Sequence, residues 1–324
     1  MTMPLQHRFI ETNGIRMHIA EQGQGPLVIL CHGFPECWYV WRHQIEALAA
    51  AGYRVVAPDQ RGYGLTDRPE NIDQYHILNL TADIVGLVHA LGEETATIVG
   101  HDWGAVVAWT CAVLRPDVFP ALGLLSVPYF GYHWNEPQPT RAMREMAGDK
   151  EFYQLYFQEP GKAEAELEAD IRKSLKMFFY AASGDALPEE RWRFMFEKSE
   201  TLLDTGGQPK ALPAWLSEGD LEVFAKSFEI SGFRGGLNWY RNFDRMWELT
   251  RSLCGAKIHQ PSLFVVGALD VTMAMYYPQY EALGETMPGL RKSVVMPGVG
   301  HWIQQERPAE VNALLIEFLA GLAH

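Results

Sequence analysis

The sequence predicts an α/β protein: a mostly parallel sheet with helices on both faces, interrupted by a long helical insert. Three observations carry this. Short apolar runs alternate with Gly-terminated amphipathic stretches up to about Tyr129. From there to about Gly255 the pattern is helical and rich in aromatic residues, and strand-like runs return only after it. Between a strand-like and a helix-like run lies "GHDWG", a sharp-turn motif with an acidic centre.

Taken in order, "RFIETNGIRMHIAEQG" reads as a hairpin turning at Asn13-Gly14. "PLVILCHG" is a continuous apolar run, as a strand buried on both faces requires. "WRHQIEALAAAG" is a helix stopped by Gly52, "YRVVAPD" a buried strand, and "LTADIVGLVHALG" a helix ended by Gly92. "TATIVGHD" enters the turn, "WGAVVAWTCAVLRP" is the helix leaving it, and "ALGLLSVP" is a further strand. The insert contains "EAELEADIRKSLKMFFYAA", acidic early and basic late as the helix dipole favours. "RWRFMFEKSETLL", "EGDLEVFAKSFEISG" and "NWYRNFDRMWELTRSL" read as continued helix. Buried strands are expected again at "PSLFVVGALD" and "RKSVVMPGVGH". In the final helix, "AEVNALLIEFLAGLA", Val311, Leu314, Leu315, Phe318, Leu319 and Leu322 share one face. The expected organisation is a core of residues 1–129 and 256–324 with a lid of residues 130–255. Ligands in such sheets bind beyond the carboxyl ends of the strands, where the lid would exclude water.

Composition narrows the function classes. The 324 residues are 48% hydrophobic and 21% charged, the balance of a globular chain with a large core. A net charge of -13 argues against nucleic acid, because phosphate binding needs clustered Lys and Arg. Met1 to Phe9 lacks an apolar signal core, and no run reaches the roughly 18 apolar residues of a membrane span. Cys31, Cys37, Cys111 and Cys254 have no metal spacing, and Cys31 and Cys111 read as buried thiols. A cytoplasmic location is expected, and homo-oligomerisation is left open.

"GHDWG" places Asp102 where most such turns carry serine. The turn presents its central side chain at a helix N-terminus, where negative charge is stabilised. A lone Asp before a helix would read as an N-cap; the flanking Gly100 and Gly104 favour a nucleophile. In this motif the chain order is nucleophile, acid, histidine. Asp270 follows "SLFVVGAL" and His301 follows "SVVMPGVG", both at carboxyl ends of expected strands. After "LVILC", the "HGFPE" loop offers the Phe34 N–H as one oxyanion donor, with the Trp103 N–H as the second. His32 is expected to hold this loop by hydrogen bonds.

These residues identify a resemblance. With "HGFPE", "RGYGLTDRP", "GHDWG" and "GVGHW" in the core, the chain resembles the epoxide hydrolases of the α/β-hydrolase fold. In the lid, "YQLYFQEPG" and "FRGGLNWYR" are similar to the segments that carry that family's two oxygen-binding tyrosines. The resemblance implies an eight-stranded sheet and places those roles on Tyr153 and Tyr240. Helical spacing alone leaves Tyr156 as an alternative to Tyr153. The mammalian relatives also have an N-terminal phosphatase domain; this chain opens on the hydrolase hairpin, so no phosphatase activity is expected.

The implied chemistry explains the aspartate. Attack of a serine on an epoxide carbon would leave an ether, whereas Asp102 leaves an ester that water can cleave. Tyr153 and Tyr240 would donate to the leaving oxygen, and His301, oriented by Asp270, would activate water. The expected partners are a small apolar epoxide and water, with no cofactor and no metal. Phe34, Trp103, Tyr129, Trp134, Met143, Phe179, Leu269 and Trp302 are pocket candidates that suggest an apolar site, and all of them also suit core or lid packing. Tyr129 also suits packing, the role assigned to Tyr132, Tyr180, Tyr276 and Tyr277.

Rivals are a haloalkane dehalogenase, a fluoroacetate dehalogenase and a non-catalytic protein on the same scaffold. The haloalkane enzymes usually have Asn where this chain has Phe34, and lack the paired tyrosines. The fluoroacetate enzymes typically have Arg where Trp103 stands. Retention of every expected catalytic residue opposes a non-catalytic role, and Asp102 excludes a serine esterase.

Overall fold

A computed structural model describes residues 4–132 and 137–322; Trp134 lies outside the described residues. The hairpin forms as the sequence predicts. Strands β1 (Gln6–Thr12) and β2 (Ile15–Gln22) pair antiparallel, with positive φ at both Asn13 and Gly14. The succeeding strands β3 (Leu27–Cys31), β4 (Arg54–Pro58), β5 (Thr97–His101) and β6 (Ala121–Leu125) are short and almost wholly buried.

Helices α1 (Arg42–Ala50), α2 (Ile77–Ala90) and α3 (Trp103–Leu114) alternate with these strands. Both α1 and α2 are followed by glycines with left-handed φ, Gly52 and Gly92. Helix α2 packs on α3, and α1 packs on the C-terminal helix Pro308–Ala320. A buried ion pair joins the loop after β4 to α2: the Arg61 guanidinium donates to both Asp83 oxygens at 2.6 and 2.7 Å.

The insert follows β6. It contains α4 (Pro139–Ala147), β7 (Glu151–Phe152), α5 (Tyr153–Tyr156), α6 (Lys162–Ala169), α7 (Ile171–Ala181), β8 (Met195–Phe196), α8 (Glu218–Ser231), α9 (Arg234–Tyr240) and α10 (Phe243–Leu249). Here the sequence reading needs three corrections. The run from Glu164 to Ala182 is two helices, because Asp170 turns extended and caps α7 by accepting from the Lys173 N–H at 2.9 Å. "RWRFMFEKSETLL" is not a continuous helix. Met195 and Phe196 pair antiparallel with Phe152 and Glu151, a long-range contact that local periodicity does not encode. "NWYRNFDRMWELTRSL" breaks at Arg241-Asn242 between α9 and α10.

Strands β9 (Ser262–Gly267) and β10 (Leu290–Met296) complete an eight-stranded sheet in the order β1-β2-β4-β3-β5-β6-β9-β10. From β4 to β10 every pairing is parallel. β10, expected to be buried, is a largely exposed edge strand paired only with β9. Its Lys292 reaches Glu317 of the C-terminal helix.

Polar bonds seat the insert on the core. The Trp239 indole donates to the Arg61 carbonyl at 3.1 Å, the Asn242 amide to the Ile72 carbonyl at 2.7 Å, and the Tyr39 hydroxyl to Asp220 at 2.9 Å. Gly235 and Gly62 touch backbone to backbone; a Cβ on Gly235 would lie 2.1 Å from the Gly62 oxygen. Only glycine permits this approach, which fixes α9 and therefore Tyr240 over the sheet.

Candidate active site

The parallel sheet delivers Asp102, Asp270 and His301 to one place, just past the ends of β5, β9 and β10. Asp102 holds a left-handed φ of 53°, rare for a residue with a side chain. The strain is held by tight surroundings. A Cβ on Gly100 would meet the Gly104 oxygen at 2.0 Å, and one on Gly104 would meet the Cys31 oxygen at 2.0 Å. The Asp102 side chain makes no capping bond to α3, so it does not serve as an N-cap. Instead its Oδ1 accepts the Phe34 N–H at 2.9 Å. The Trp103 N–H begins α3, among the donors that have no intrahelical acceptor.

His301 lies between two carboxylates. Its Nδ1 is 3.0 and 3.1 Å from the Asp270 oxygens, and its Nε2 is 3.6 Å from Asp102 Oδ2. The Asp102 side chain is 17% exposed, against 0% for Asp270, so only the former is open to a substrate. Burial raises the cost of ionising Asp102, but His301, His101 and the Phe34 N–H outweigh it and hold its pKa below the carboxylate norm. Asp270 is likewise low: burial is overcome by His301 and by the Thr272 N–H at 2.8 Å. Burial disfavours the His301 imidazolium, yet Asp270 and Asp102 together push its pKa well above 6.5.

The insert contributes the opposite wall. Tyr153 and Tyr240 are buried, with ring centroids 6.2 Å apart, and both line the two small cavities that meet at Asp102. Burial drives both phenols well above their usual pKa, which keeps them protonated as donors. Tyr156 points elsewhere: its hydroxyl donates to Glu166 at 2.6 Å. Phe34 and Trp302 line one cavity with Phe157, Phe178 and Trp192, and Trp103 lines the other with Phe130 and Phe243. A separate groove of about 470 Å³ shares Phe130, Met246 and Tyr276 with the second cavity and includes Met143.

Four expectations are corrected here. Tyr129 is fully buried, packs on Trp109 and donates to the Ala256 carbonyl at 2.7 Å; it lines none of these cavities. Tyr276, expected to pack, faces the cavity of Asp102, Tyr153 and Gln154. Phe179 stacks behind the site on Trp302 and Phe224, and Leu269 lies outside the cavity walls. His32 holds the loop as expected, its Nε2 accepting from the Gln60 N–H and its Nδ1 donating to the Gly33 carbonyl.

A family-model match to the alpha/beta hydrolase fold spans residues 26–308. Over 317 residues the chain is 46% identical to epoxide hydrolase A of Mycobacterium tuberculosis, covering 97% of each. The solved structure of an epoxide hydrolase from an endophytic Streptomyces superposes with a TM-score of 0.95 at 52% identity, over 98% of this chain and 96% of that one. The chain belongs to the epoxide hydrolase family. Epoxide hydrolase A of Mycobacterium thermoresistibile is similarly close, with a TM-score of 0.92 at 46% identity over 98% and 99% of the two chains.

This epoxide hydrolase also has supporting residues that the sequence reading missed. Glu36 accepts the Gly33 N–H at 2.7 Å and faces His101 Nδ1 at 2.9 Å. His101 Nε2 and the Ser126 hydroxyl both donate to the His301 carbonyl at 2.8 Å. Glu306 receives the N–H groups of Gly184, Gly300 and Trp302, which fixes the loop on either side of His301. Glu36 and His101 lie inside the quoted motifs, but their partners are far away in sequence. Among the described residues no group of three or more His, Cys, Asp or Glu is placed to hold a metal, and no helix is long and apolar enough to cross a membrane.

Proposed function

We propose that the chain converts an apolar epoxide to a vicinal diol in two steps, with Asp102 as nucleophile and the insert as its lid. The observation that carries this is one cavity that sets the Asp102 carboxylate, its pKa held down by His301 against burial, opposite the Tyr153 and Tyr240 phenols, whose pKa burial pushes up. A halide would need no proton; a departing ring oxygen does. In the first step Asp102 attacks a ring carbon, the C–O bond breaks, and a tyrosine hydroxyl protonates the oxygen. In the second, His301 removes a proton from water, which attacks the ester carbonyl while the Phe34 and Trp103 N–H groups stabilise the oxyanion.

The electrostatics order these steps. In the free enzyme Asp270 and Asp102 raise the His301 pKa against the cost of burial, which favours its protonated form over the base. Esterification removes the charge of Asp102. One of the two causes of the raised pKa disappears, which favours the neutral imidazole that a base for water must be. The scheme uses only the chain's own side chains and water.

The four cysteines are free thiols, and the location we propose with this reading is a reducing cytoplasm. The test is a panel of styrene-type and aliphatic epoxides beside haloalkanes, with diol and halide both measured. Diol formation that vanishes in Asp102→Ala is expected. Halide release without diol would overturn the reading.

A further inference from the structure

We propose that Gln154 is a positioning residue that makes Tyr153 the proton donor to the departing epoxide oxygen. This rests on the reading of Tyr153 as an oxygen-binding tyrosine. The Gln154 amide Nε2 donates to the Tyr153 hydroxyl oxygen at 2.7 Å, and the Gln154 residue is only 5% exposed. Adjacent residues on a helix do not normally face each other. Here they do, because Tyr153 opens the four-residue α5 directly after extended Phe152, with its N–H tied to the Phe194 carbonyl at 3.0 Å.

The arrangement is braced from behind. The Gln158 amide donates to the Gln154 carbonyl at 2.8 Å and to the Tyr240 carbonyl at 3.0 Å, which joins the two tyrosine-bearing helices. Gln154 and Tyr153 line the same cavity as Asp102, with Tyr276 beside them.

A phenol oxygen carries one proton and accepts through its lone pairs. With Gln154 donating to that oxygen, the Tyr153 proton is left to be given away. During alkylation the Asp102–carbon bond forms and the ring C–O bond breaks. The ring oxygen takes the Tyr153 proton, and the electron pair of that O–H bond stays on the tyrosine oxygen. Later cleavage of the ester by water yields diol, the Asp102 carboxylate and a proton, which restores the phenol. The Gln154 N–H bonds a neutral phenol before transfer and a phenolate after it, and a charged acceptor strengthens the bond. The gain therefore arises in the transition state, where it raises rate. Burial and Tyr276 both raise the Tyr153 pKa, and the Gln154 amide counters them.

The experiment is single-turnover alkylation by styrene oxide, followed by rapid quench, with hydrolysis of the ester timed separately. Gln154→Met is expected to slow alkylation about tenfold, the order of a charge-strengthened hydrogen bond, and to leave ester hydrolysis unchanged. In a Tyr153→Phe background the same change is expected to cost nothing further. Gln154→Glu replaces the donor by an acceptor, so alkylation is expected to slow at neutral pH. It should recover as pH falls and the new carboxyl becomes a donor, a profile that loss of packing would not produce. Unslowed alkylation in Gln154→Met, or equal slowing in the Tyr153→Phe background, overturns the role of Gln154. If Gln154→Met does not fold, a Gln154→Glu profile without acid recovery does the same. Undiminished alkylation in Tyr153→Phe alone instead overturns the reading of Tyr153.

Discussion

His301→Gln should separate the two chemical steps. Glutamine can still hydrogen-bond to Asp270, but it cannot take a proton from water. His301 Nε2 is 3.6 Å from Asp102 Oδ2, beyond a good hydrogen bond, so its contact with the nucleophile is mainly electrostatic. In the proposed scheme alkylation draws instead on Asp102, with the Phe34 N–H at 2.9 Å, and on the two buried tyrosines, all of which the substitution leaves in place. Some cost to alkylation is expected, because His301 is the foremost group holding the Asp102 pKa down against burial. The larger cost falls on hydrolysis. A positioned general base contributes on the order of 10²–10⁴ in rate, equivalent to about 3–5 kcal/mol. Intact-protein mass spectrometry after brief exposure to styrene oxide should show one persistent adduct on the variant and only a transient one on the unmodified enzyme. Rapid quench then gives each rate. A folded variant whose ester hydrolyses within tenfold of the unmodified rate would refute the assignment of His301.

Gly33→Ala should prevent the adduct altogether, because the new Cβ would lie 2.4 Å from both Cβ and Oδ1 of Asp102; normal labelling would contradict that geometry. Asp83→Ala should lower stability by about 3–5 kcal/mol in urea unfolding, since it strands the Arg61 guanidinium, now paired at 2.6 Å; a loss below about 1 kcal/mol would count against it. Stability should also fall at both ends of the pH range. Asp102 and Asp270 have depressed folded values, so their contribution is present above the unfolded carboxylate value of about 4 and is lost as pH falls through those lower values. His301 has a raised folded value, so its contribution is complete below the unfolded value of about 6.5 and is lost as pH rises through the higher folded value. Thermal melts across pH should lose, in His301→Gln, the part of the decline that sets in just above about pH 6.5, below the range of tyrosine and cysteine; an unchanged onset would assign it to another group.

The core strands and the motif turn were legible because their signals are local. β3, β5, β6 and β9 are buried on both faces, so each is a continuous apolar run. β10 was legible as a strand but not as an edge, since Val294 and Val295 look the same in either setting. The insert was read least well. Its aromatic residues fit a helix period even where β8 pairs with β7 across more than forty positions.

For the proposed site, the sequence alone picked out Asp102, Asp270 and His301. A parallel sheet brings all its strand ends to one edge, so order along the sequence becomes proximity. The insert obeys no such rule, and which face of a short helix meets the core depends on its distant partners. Only the tertiary structure therefore turned Tyr153 inward and Tyr156 toward Glu166, moved Tyr129 out of the cavity and Tyr276 into it, and set the Gln154 amide on the Tyr153 hydroxyl.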